Sequence, residues 1–128
     1  MIERFEPLLE AARAVTGEFP LSPDGLSAGG VGAAILTAGG NVYTGICIDV
    51  SCGIGFCAEH AAIAEMLKHR ETQIVAVVAV CEEGVLPPCG RCREFMMQID
   101  RRNADAEVMV AEDTVVKLGS LLPFYWNG

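Results

Sequence analysis

Two short segments of this chain carry cysteine and glutamate in spacings that suit a metal site. Residues 56–60 read Phe-Cys-Ala-Glu-His, and residues 87–93 read Pro-Pro-Cys-Gly-Arg-Cys-Arg. Apolar residues at helical spacing follow each segment, so the cysteines stand at predicted helix starts. Free backbone N–H groups and the helix dipole favour a thiolate over a thiol at such positions. The pattern predicts that Cys57, Cys89 and Cys92 bind one zinc ion per subunit.

The spacing of these residues indicates a catalytic site. Cys89 and Cys92 have the two-residue separation that lets one turn of chain hold one ion, and Cys57 supplies a third ligand. Three protein ligands leave the fourth tetrahedral position of zinc open for water. Glu59 follows Cys57 closely enough to exchange protons with that water without binding the metal. The set suits hydrolytic removal of ammonia from an amidine-like ring carbon.

Two other interpretations of the cysteines stay open at this point. Cys89 and Cys92 could form a redox pair, although this leaves Glu59 without a role. A structural zinc site would need a fourth ligand, for which His60, Cys52 and Cys81 are the candidates. Cysteines outside the motifs, including Cys47, Cys52 and Cys81, are expected to be small buried residues.

The elements that must position these motifs can be predicted from hydrophobic periodicity. Leu8, Leu9, Ala12 and Val15 define one buried helical face, and residues 22–30 have the Ser, Pro, Asp and Gly content of a loop. The β-branched run at 74–80 predicts a central strand covered on both faces. The helices are expected at 6–15, 58–67 and 92–99, and the strands at 31–37, 41–48, 74–80, 107–111 and 114–118. This order predicts an α/β fold, a three-layer α/β/α sandwich with a mixed five-stranded sheet.

Length, charge and composition bound the function. The chain has 128 residues, which predicts a single domain spanning residues 1–128. Its formal net charge of −8 argues against a nucleic acid polymer as partner and favours a small molecule. The sequence has neither a signal pattern nor an apolar run of membrane-spanning length, so we expect a cytoplasmic protein with reduced thiols and no membrane partner. Glu82-Glu83 and Glu112-Asp113 are expected to be solvated turn charges.

The two motifs together form the signature of zinc-dependent base deaminases. Residues 31–34 and 41–45 are similar to the first two strands of the cytidine deaminase family, and residues 121–124 are similar to its C-terminal ending. The chain therefore resembles that family over about residues 22–126. The resemblance implies the α/β/α deaminase fold, a cytosine-type base or nucleoside as substrate, and a homo-oligomer that is a tetramer or a dimer.

The resemblance also implies contacts with the substrate. The backbone at Ala58 and the turn at Pro88 are expected to flank the base. Phe124 lies in an aromatic tail that, by resemblance, reaches the pocket of a neighbouring subunit. Arg91 is a candidate both for contact with the substrate and for offsetting the charge of the zinc thiolates.

Departures from the family pattern concern the substrate and the charge of the site. Ordinary members end the second strand in Asn-x-Glu, which holds a ribose hydroxyl, whereas this chain has Cys47 and Asp49 there. By position, Cys47 and Asp49 are therefore expected to contact whatever is attached to the base. His60 replaces an arginine that offsets the charge of the thiolates. The segment around Arg91 is similar to blasticidin S deaminase, which acts on a larger nucleoside. The open alternatives are a deaminase of that or another aminated heterocycle, and a non-catalytic zinc-binding protein with the same fold.

Overall fold

The strands and helices follow the predicted order in the computed structural model, which describes residues 2–127. The helices are α1 (Phe5–Val15), α2 (Ala58–Lys68) and α3 (Gly90–Ile99). The strands are β1 (Phe19–Pro20), β2 (Ser27–Thr37), β3 (Val42–Asp49), β4 (Ile74–Cys81), β5 (Gly84–Leu86), β6 (Glu107–Ala111) and β7 (Thr114–Lys117). The five predicted strands correspond to β2, β3, β4, β6 and β7, and the short β1 and β5 are additional. No helix in the described part of the chain is both long and apolar enough to cross a membrane.

The sheet is mixed, and β4 lies at its centre as predicted. The five longer strands pair in the order β3-β2-β4-β6-β7. Strand β2 runs antiparallel to both β3 and β4, and β4 runs parallel to β6. Strand β1 extends the pairing at the start of β2, and β5 pairs with the end of β4.

Alternate residues of the sheet face opposite helical layers. Val77 of β4 packs into a buried cluster with α2 and α3, whereas Ala76 and Val78 pack into a second cluster with α1. Each fully buried aliphatic side chain of this kind contributes roughly 1.5–3 kcal/mol relative to an exposed one. The alternation confirms the three-layer α/β/α arrangement, with α1 on one face and both motif helices on the other.

Two local predictions are wrong. Residues 27–30 belong to β2 rather than to a loop, because Ala28 pairs with both β1 and β3. Gly29 has a φ of +88° and lies where the register of β2 against β3 shifts, so a glycine-rich bulge continues the strand. Val15 is 37% exposed at the end of α1, and Phe5 at the other end is fully buried instead.

A buried asparagine ties α3 to the sheet. The Asn103 side chain donates a hydrogen bond to the carbonyl of Met96 on α3 (2.9 Å) and accepts one from the N–H of Ile74 at the start of β4 (2.7 Å). Its side chain is fully buried, so each of these polar groups depends on the others for hydrogen bonding. The network fixes the helix that carries Cys89 and Cys92 against the central strand.

Helix α2 rests directly on β3 at a glycine. A Cβ atom added at Gly45 would lie 2.4 Å from the N of Ala62 and 2.6 Å from the carbonyl oxygen of Ala58. These are backbone atoms of α2, so they cannot move aside independently of the helix. Only glycine permits this approach, which sets the height of the Cys57 motif above the sheet.

We expect Gly45→Ala to lift α2 and to lower the free energy of unfolding by about 2 kcal/mol or more. The same shift should weaken zinc binding, since Cys57 moves with the helix. Urea unfolding and competition with a zinc chelator would measure the two effects. Gly90→Ala is the matched control, because no atom lies within 4 Å of its added Cβ. Equal stability of the two variants would contradict the close-contact argument.

Candidate active site

The three motif cysteines lie at helix starts, as the sequence predicts. Cys57 is the N-cap of α2, with φ −76° and ψ 158°, and Cys89 is the N-cap of α3, with φ −69° and ψ 167°. At both positions the backbone is still extended, and the helix begins at the next residue. Cys92 follows in the first turn of α3 and is fully buried. Two helix N-termini therefore meet at one place.

The sulfur atoms form a compact triangle. The Sγ atoms of Cys57 and Cys89 are 3.5 Å apart, and those of Cys89 and Cys92 are also 3.5 Å apart. Three thiolates bound tetrahedrally to one zinc at about 2.3 Å would be about 3.8 Å from one another. The spacing and the soft sulfur donors fit a zinc ion, and the residues that would hold it are these three cysteines.

Within residues 2–127, no fourth protein ligand joins the triangle. The group of potential ligand atoms within 4.8 Å of one another consists of Cys57, Cys89 and Cys92. Neither His60 nor Cys81 belongs to it. Cys52 is exposed in a short turn at φ +65°, so the expectation that it is buried is wrong. Three ligands leave the open position that a catalytic zinc site has.

Glu59 lies beside the triangle without belonging to it. Its side chain is 4% exposed, and the Cys92 thiol donates a hydrogen bond to its Oε1 at 3.6 Å. Burial raises the pKa of Glu59 above its ordinary value, because desolvation disfavours the carboxylate. A carboxyl group with a raised pKa binds a proton more readily than an ordinary one, which suits a group that takes up and returns a proton.

The thiols require a cation in order to ionise together. Burial raises the pKa of Cys57 and, with the help of the Glu59 carboxylate, that of Cys92. Burial acts on Cys89 in the same direction, but backbone N–H groups of Cys92 and Arg91 and hydrogen bonds from the neighbouring thiols lower the pKa of Cys89 overall. Cys89 is therefore the one of the three thiols whose pKa the protein itself lowers. A bound divalent cation would stabilise the thiolate form of all three cysteines.

His60 contacts the metal-binding thiols. Its Nδ1 lies 3.5 Å from the Sγ of Cys92. The imidazole stacks on Phe95 at 4.6 Å with a 15° interplanar angle, and on Phe56 at 6.4 Å with a 28° angle. Burial and then the charge of Arg91 lower the pKa of His60, which favours the neutral ring. A neutral imidazole, held between two aromatic rings, thus supplies a polar contact to Cys92.

A cavity of about 900 Å³ opens beside the triangle. Cys57, Cys89 and Glu59 lie in its wall, as do four of the predicted substrate contacts: Ala58, Cys47, Asp49 and Arg91. Ala58 is fully buried at the start of α2, so its backbone contributes to the wall next to the metal-binding residues. The cavity thus brings the predicted ligands, proton carrier and most predicted substrate contacts to one place.

Two predicted substrate contacts lie outside this wall. Pro88 is buried, and its carbonyl accepts a hydrogen bond from Nε of Arg93 at 2.8 Å, while Pro87 lines the cavity. Phe124 is fully exposed near the C-terminus and does not line the cavity of its own chain.

Cys47 and Asp49 form a small network at the end of β3. The N–H of Val31 donates to the Sγ of Cys47 at 3.3 Å, and the Cys47 thiol donates to Oδ2 of Asp49 at 3.6 Å. Cys47 is 7% exposed, whereas Asp49 is exposed to the cavity. Cys47 and Asp49 are therefore hydrogen-bonded to each other, and Cys47 also accepts a hydrogen bond from β2.

Sequence reasoning did not identify three acidic residues in the cavity wall, namely Glu18, Glu82 and Glu83. Glu82 and Glu83 are exposed in the turn after β4, so their assignment as solvated turn charges describes them only in part. Glu18 precedes β1, a strand that the sequence did not predict. No local pattern marks these residues, because sheet pairing between distant segments brings them together.

Comparison with known proteins supports a specific relationship. The family model described as "Cytidine and deoxycytidylate deaminase zinc-binding region" matches residues 21–109. A cytidine deaminase of Mycobacterium tuberculosis is 34% identical over 96 residues, which are 73% of this chain and 69% of that protein. A cytidine deaminase of Halalkalibacterium halodurans is 37% identical over 93 residues, which are 71% of this chain and 63% of that protein.

Solved structures agree with the sequence comparison. The crystal structure of cytidine deaminase from Mycobacterium leprae superposes with a TM-score of 0.78 at 26% identity and covers 93% of this chain and 97% of that one. The region matched by the family model contains both cysteine motifs. This chain therefore belongs to the cytidine and deoxycytidylate deaminase zinc-binding family and is a hydrolase that acts on C–N bonds.

Proposed function

We propose that this protein is a zinc-dependent hydrolytic deaminase of a cytosine-type base or nucleoside, such as cytidine, deoxycytidine or an analogue, and that it releases ammonia. The observation that carries the proposal is the position of Glu59. Its buried carboxyl group lies 3.6 Å from one member of a three-cysteine group and lines the same cavity. A proton carrier next to an incompletely coordinated metal site is what this hydrolysis needs.

The three cysteines and Glu59 have different roles in the proposed reaction. Cys57, Cys89 and Cys92 would hold one zinc ion per subunit, and zinc supplies a Lewis acid that lowers the pKa of water. The Glu59 carboxylate accepts a proton from the attacking water. It delivers this proton to the ring nitrogen, then takes the second proton from the oxygen that has bonded to the ring carbon and delivers it to the amine, which leaves as ammonia as the carbonyl forms. The raised pKa of Glu59 brings its affinity for the proton closer to that of these partners.

Other wall residues orient the substrate in this proposal. The backbone at Ala58 and the turn at Pro87 and Pro88, of which Pro87 lines the cavity, flank the heterocycle, and Arg91 contacts the substrate near the rim. Cys47 and Asp49 face whatever is attached to the ring, where a ribose would lie in a nucleoside. Because their side chains differ from Asn-x-Glu, blasticidin-like nucleosides and other aminated heterocycles are the alternative substrates.

A non-catalytic zinc protein is the rival from another class. A structural site would close its fourth position with a protein ligand, whereas the group of ligand atoms here consists of three cysteines. A protein that had lost catalytic activity would also gain nothing from Glu59, because burying its carboxyl group costs stability. Metal analysis combined with an assay of ammonia release separates the two functions.

We also propose a cytoplasmic homo-oligomer, a tetramer or a dimer. The C-terminal tail is fixed, because Tyr125 and Trp126 both donate hydrogen bonds to Oε2 of Glu94, at 2.7 and 3.0 Å. This fixed tail presents Phe124 fully to solvent, and Trp126 is 70% exposed. Adjacent exposed aromatic rings on an ordered segment are suited to contact with another subunit.

Glu59→Gln should retain zinc and lose turnover. The variant keeps the size of the side chain but cannot carry the proton, so we expect kcat to fall about 10²–10⁴-fold. Steady-state ammonia release and zinc content would be measured together. Glu65→Gln, on the exposed part of the same helix, is the control and should keep both. Normal turnover by Glu59→Gln would refute the assigned mechanism.

The metal-free protein should show how the buried carboxyl group affects stability. Burial raises the folded-state pKa of Glu59 above its unfolded value of about 4.3, so its stabilising contribution is complete below that pH. The contribution declines as pH rises through the folded-state pKa. Zinc-free Glu59→Gln should therefore gain stability relative to zinc-free wild type between about pH 4 and pH 7, measured by urea unfolding with chelator and reductant. A difference that stays constant or changes in the opposite direction would contradict the raised pKa.

Phe124→Ala should weaken the assembly. Truncation of an aromatic side chain that anchors a subunit interface costs about 2 kcal/mol or more. Sedimentation velocity should therefore show an oligomer for the wild type and a shift to smaller species on dilution of the variant. A wild type that sediments as a monomer at micromolar concentration would contradict the proposed oligomer.

A further inference from the structure

The wall of the catalytic cavity carries a strong excess of negative charge. Among residues 2–127, its charged residues outside the metal site are Glu18, Asp49, Glu82 and Glu83, against Arg91 as the sole cation in the lining. These carboxylates are no separate site, since they line the same cavity as the three-cysteine group. We propose, as a refinement that rests on the proposed function, that the substrate is an aminated heterocycle bearing a cationic substituent such as an amine or a guanidine.

The four carboxylates are not neutralised by the protein. Among residues 2–127, none of them forms an ion pair with a lysine, arginine or histidine. Their hydrogen-bond donors are neutral: the hydroxyl of Ser27 donates to Glu18 at 3.0 Å, and the Cys81 thiol donates to Glu83 at 3.2 Å. Carboxylates therefore outnumber cations in the wall, with Arg13 near Glu82 and Glu83 in an adjacent hollow.

Pairing of β2 with three other strands gathers these charges. Ser27 at the start of β2 lies opposite Asp49 of β3, and its hydroxyl contacts Glu18, which precedes β1. Val31, further along β2, lies opposite Cys81, the residue before Glu82. The fold thus holds carboxylates from three segments around one end of one strand, so their arrangement depends on the sheet rather than on a mobile loop.

The metal site does not offset this charge. Three thiolates and one divalent zinc ion have a formal sum of about −1. Carboxylates in the wall of a low-dielectric cleft focus a negative potential into it. The cavity should therefore reject a phosphate group, which separates this chain from deoxycytidylate as a substrate. A cation attached to the heterocycle would instead be attracted.

The size of the cavity is compatible with such a substituent. At about 900 Å³ it lies in the upper part of the roughly 300–1,000 Å³ range of ligand pockets. Leu86, Pro87 and Phe56 supply apolar lining near the metal-binding segments, which suits a flat ring. A substrate with a ring at one end and a positive charge at the other matches both parts of the wall.

Three cytosines that differ only in the charge of the N1 substituent provide the test. We would compare N1-(3-aminopropyl)cytosine, N1-(3-hydroxypropyl)cytosine and N1-(2-carboxyethyl)cytosine by kcat/KM for ammonia release, with cytidine as a reference. At low ionic strength, we expect about a 10-fold preference for the amine over the alcohol, and the carboxylate should be the poorest substrate. The preference should fall to about 3-fold or less in 0.5 M salt.

A charge-neutralising variant tests whether the wall is responsible. Glu82→Gln combined with Glu83→Gln should reduce the preference for the amine by about 3-fold. Glu6→Gln combined with Glu10→Gln is the matched control, because these exposed residues of α1 lie outside the cavity wall and change the net charge equally. The control should keep the preference of the wild type.

The outcomes distinguish this inference from the function on which it rests. Deamination of cytidine with equal or reversed preference between the amine and the alcohol would overturn the inference and leave the proposed function intact. A preference that falls equally in both double variants would also overturn it, since net charge alone would then be the cause. Failure to deaminate all four compounds would overturn the proposed function together with the inference.

Discussion

The arrangement of this protein depends on bringing three thiols within contact of one another beside a buried carboxyl group. Burial opposes ionisation of Cys57, Cys92 and Glu59. A divalent cation would offset this effect, because it stabilises their negatively charged forms. The chain reduces the cost by placing Cys57 and Cys89 at helix N-caps, where the helix dipole favours a thiolate, and backbone N–H groups of Arg91 and Cys92 lower the pKa of Cys89. Both helices must then begin at the same point, and this requirement determines how they dock on the sheet.

The same strand that supports the metal-binding helix also shapes the substrate wall. Gly45 lets α2 approach β3, and two and four residues later the strand presents Cys47 and Asp49 to the cavity. The chain then returns through a pair of backbone hydrogen bonds between Ile48 and Phe56, at 2.9 and 3.1 Å, immediately before Cys57. Metal site and wall are therefore linked by a few covalently continuous residues, so a change in either affects the geometry of the other.

Much of this could be predicted from the sequence, because the deciding signals are local. Periodicity located the three helices and the five longer strands, and the Cys-x-Glu and Cys-x-x-Cys spacings located the metal-binding residues. The errors occur where tertiary contacts override composition. Ser27 to Gly30 look like a loop but are held in the sheet by strands on both sides, and Glu18 reaches the cavity through a two-residue strand without a propensity signal. Local rules cannot reveal a wall assembled from distant segments.

The groups proposed to react and those proposed to recognise the substrate are therefore positioned by different structural elements. The groups that react in the proposed mechanism lie at helix starts, where the backbone itself fixes them, so a substitution there should remove the chemistry. The outer wall consists of side chains at strand ends and turns, which can change while the fold and the metal site persist. His60 affects the charge of the metal site. Its stacked ring contacts Cys92 through Nδ1, and its lowered pKa favours the uncharged imidazole. An uncharged imidazole beside Cys92 does not offset the thiolates, so the negative potential of the proposed metal site would add to that of the carboxylate wall.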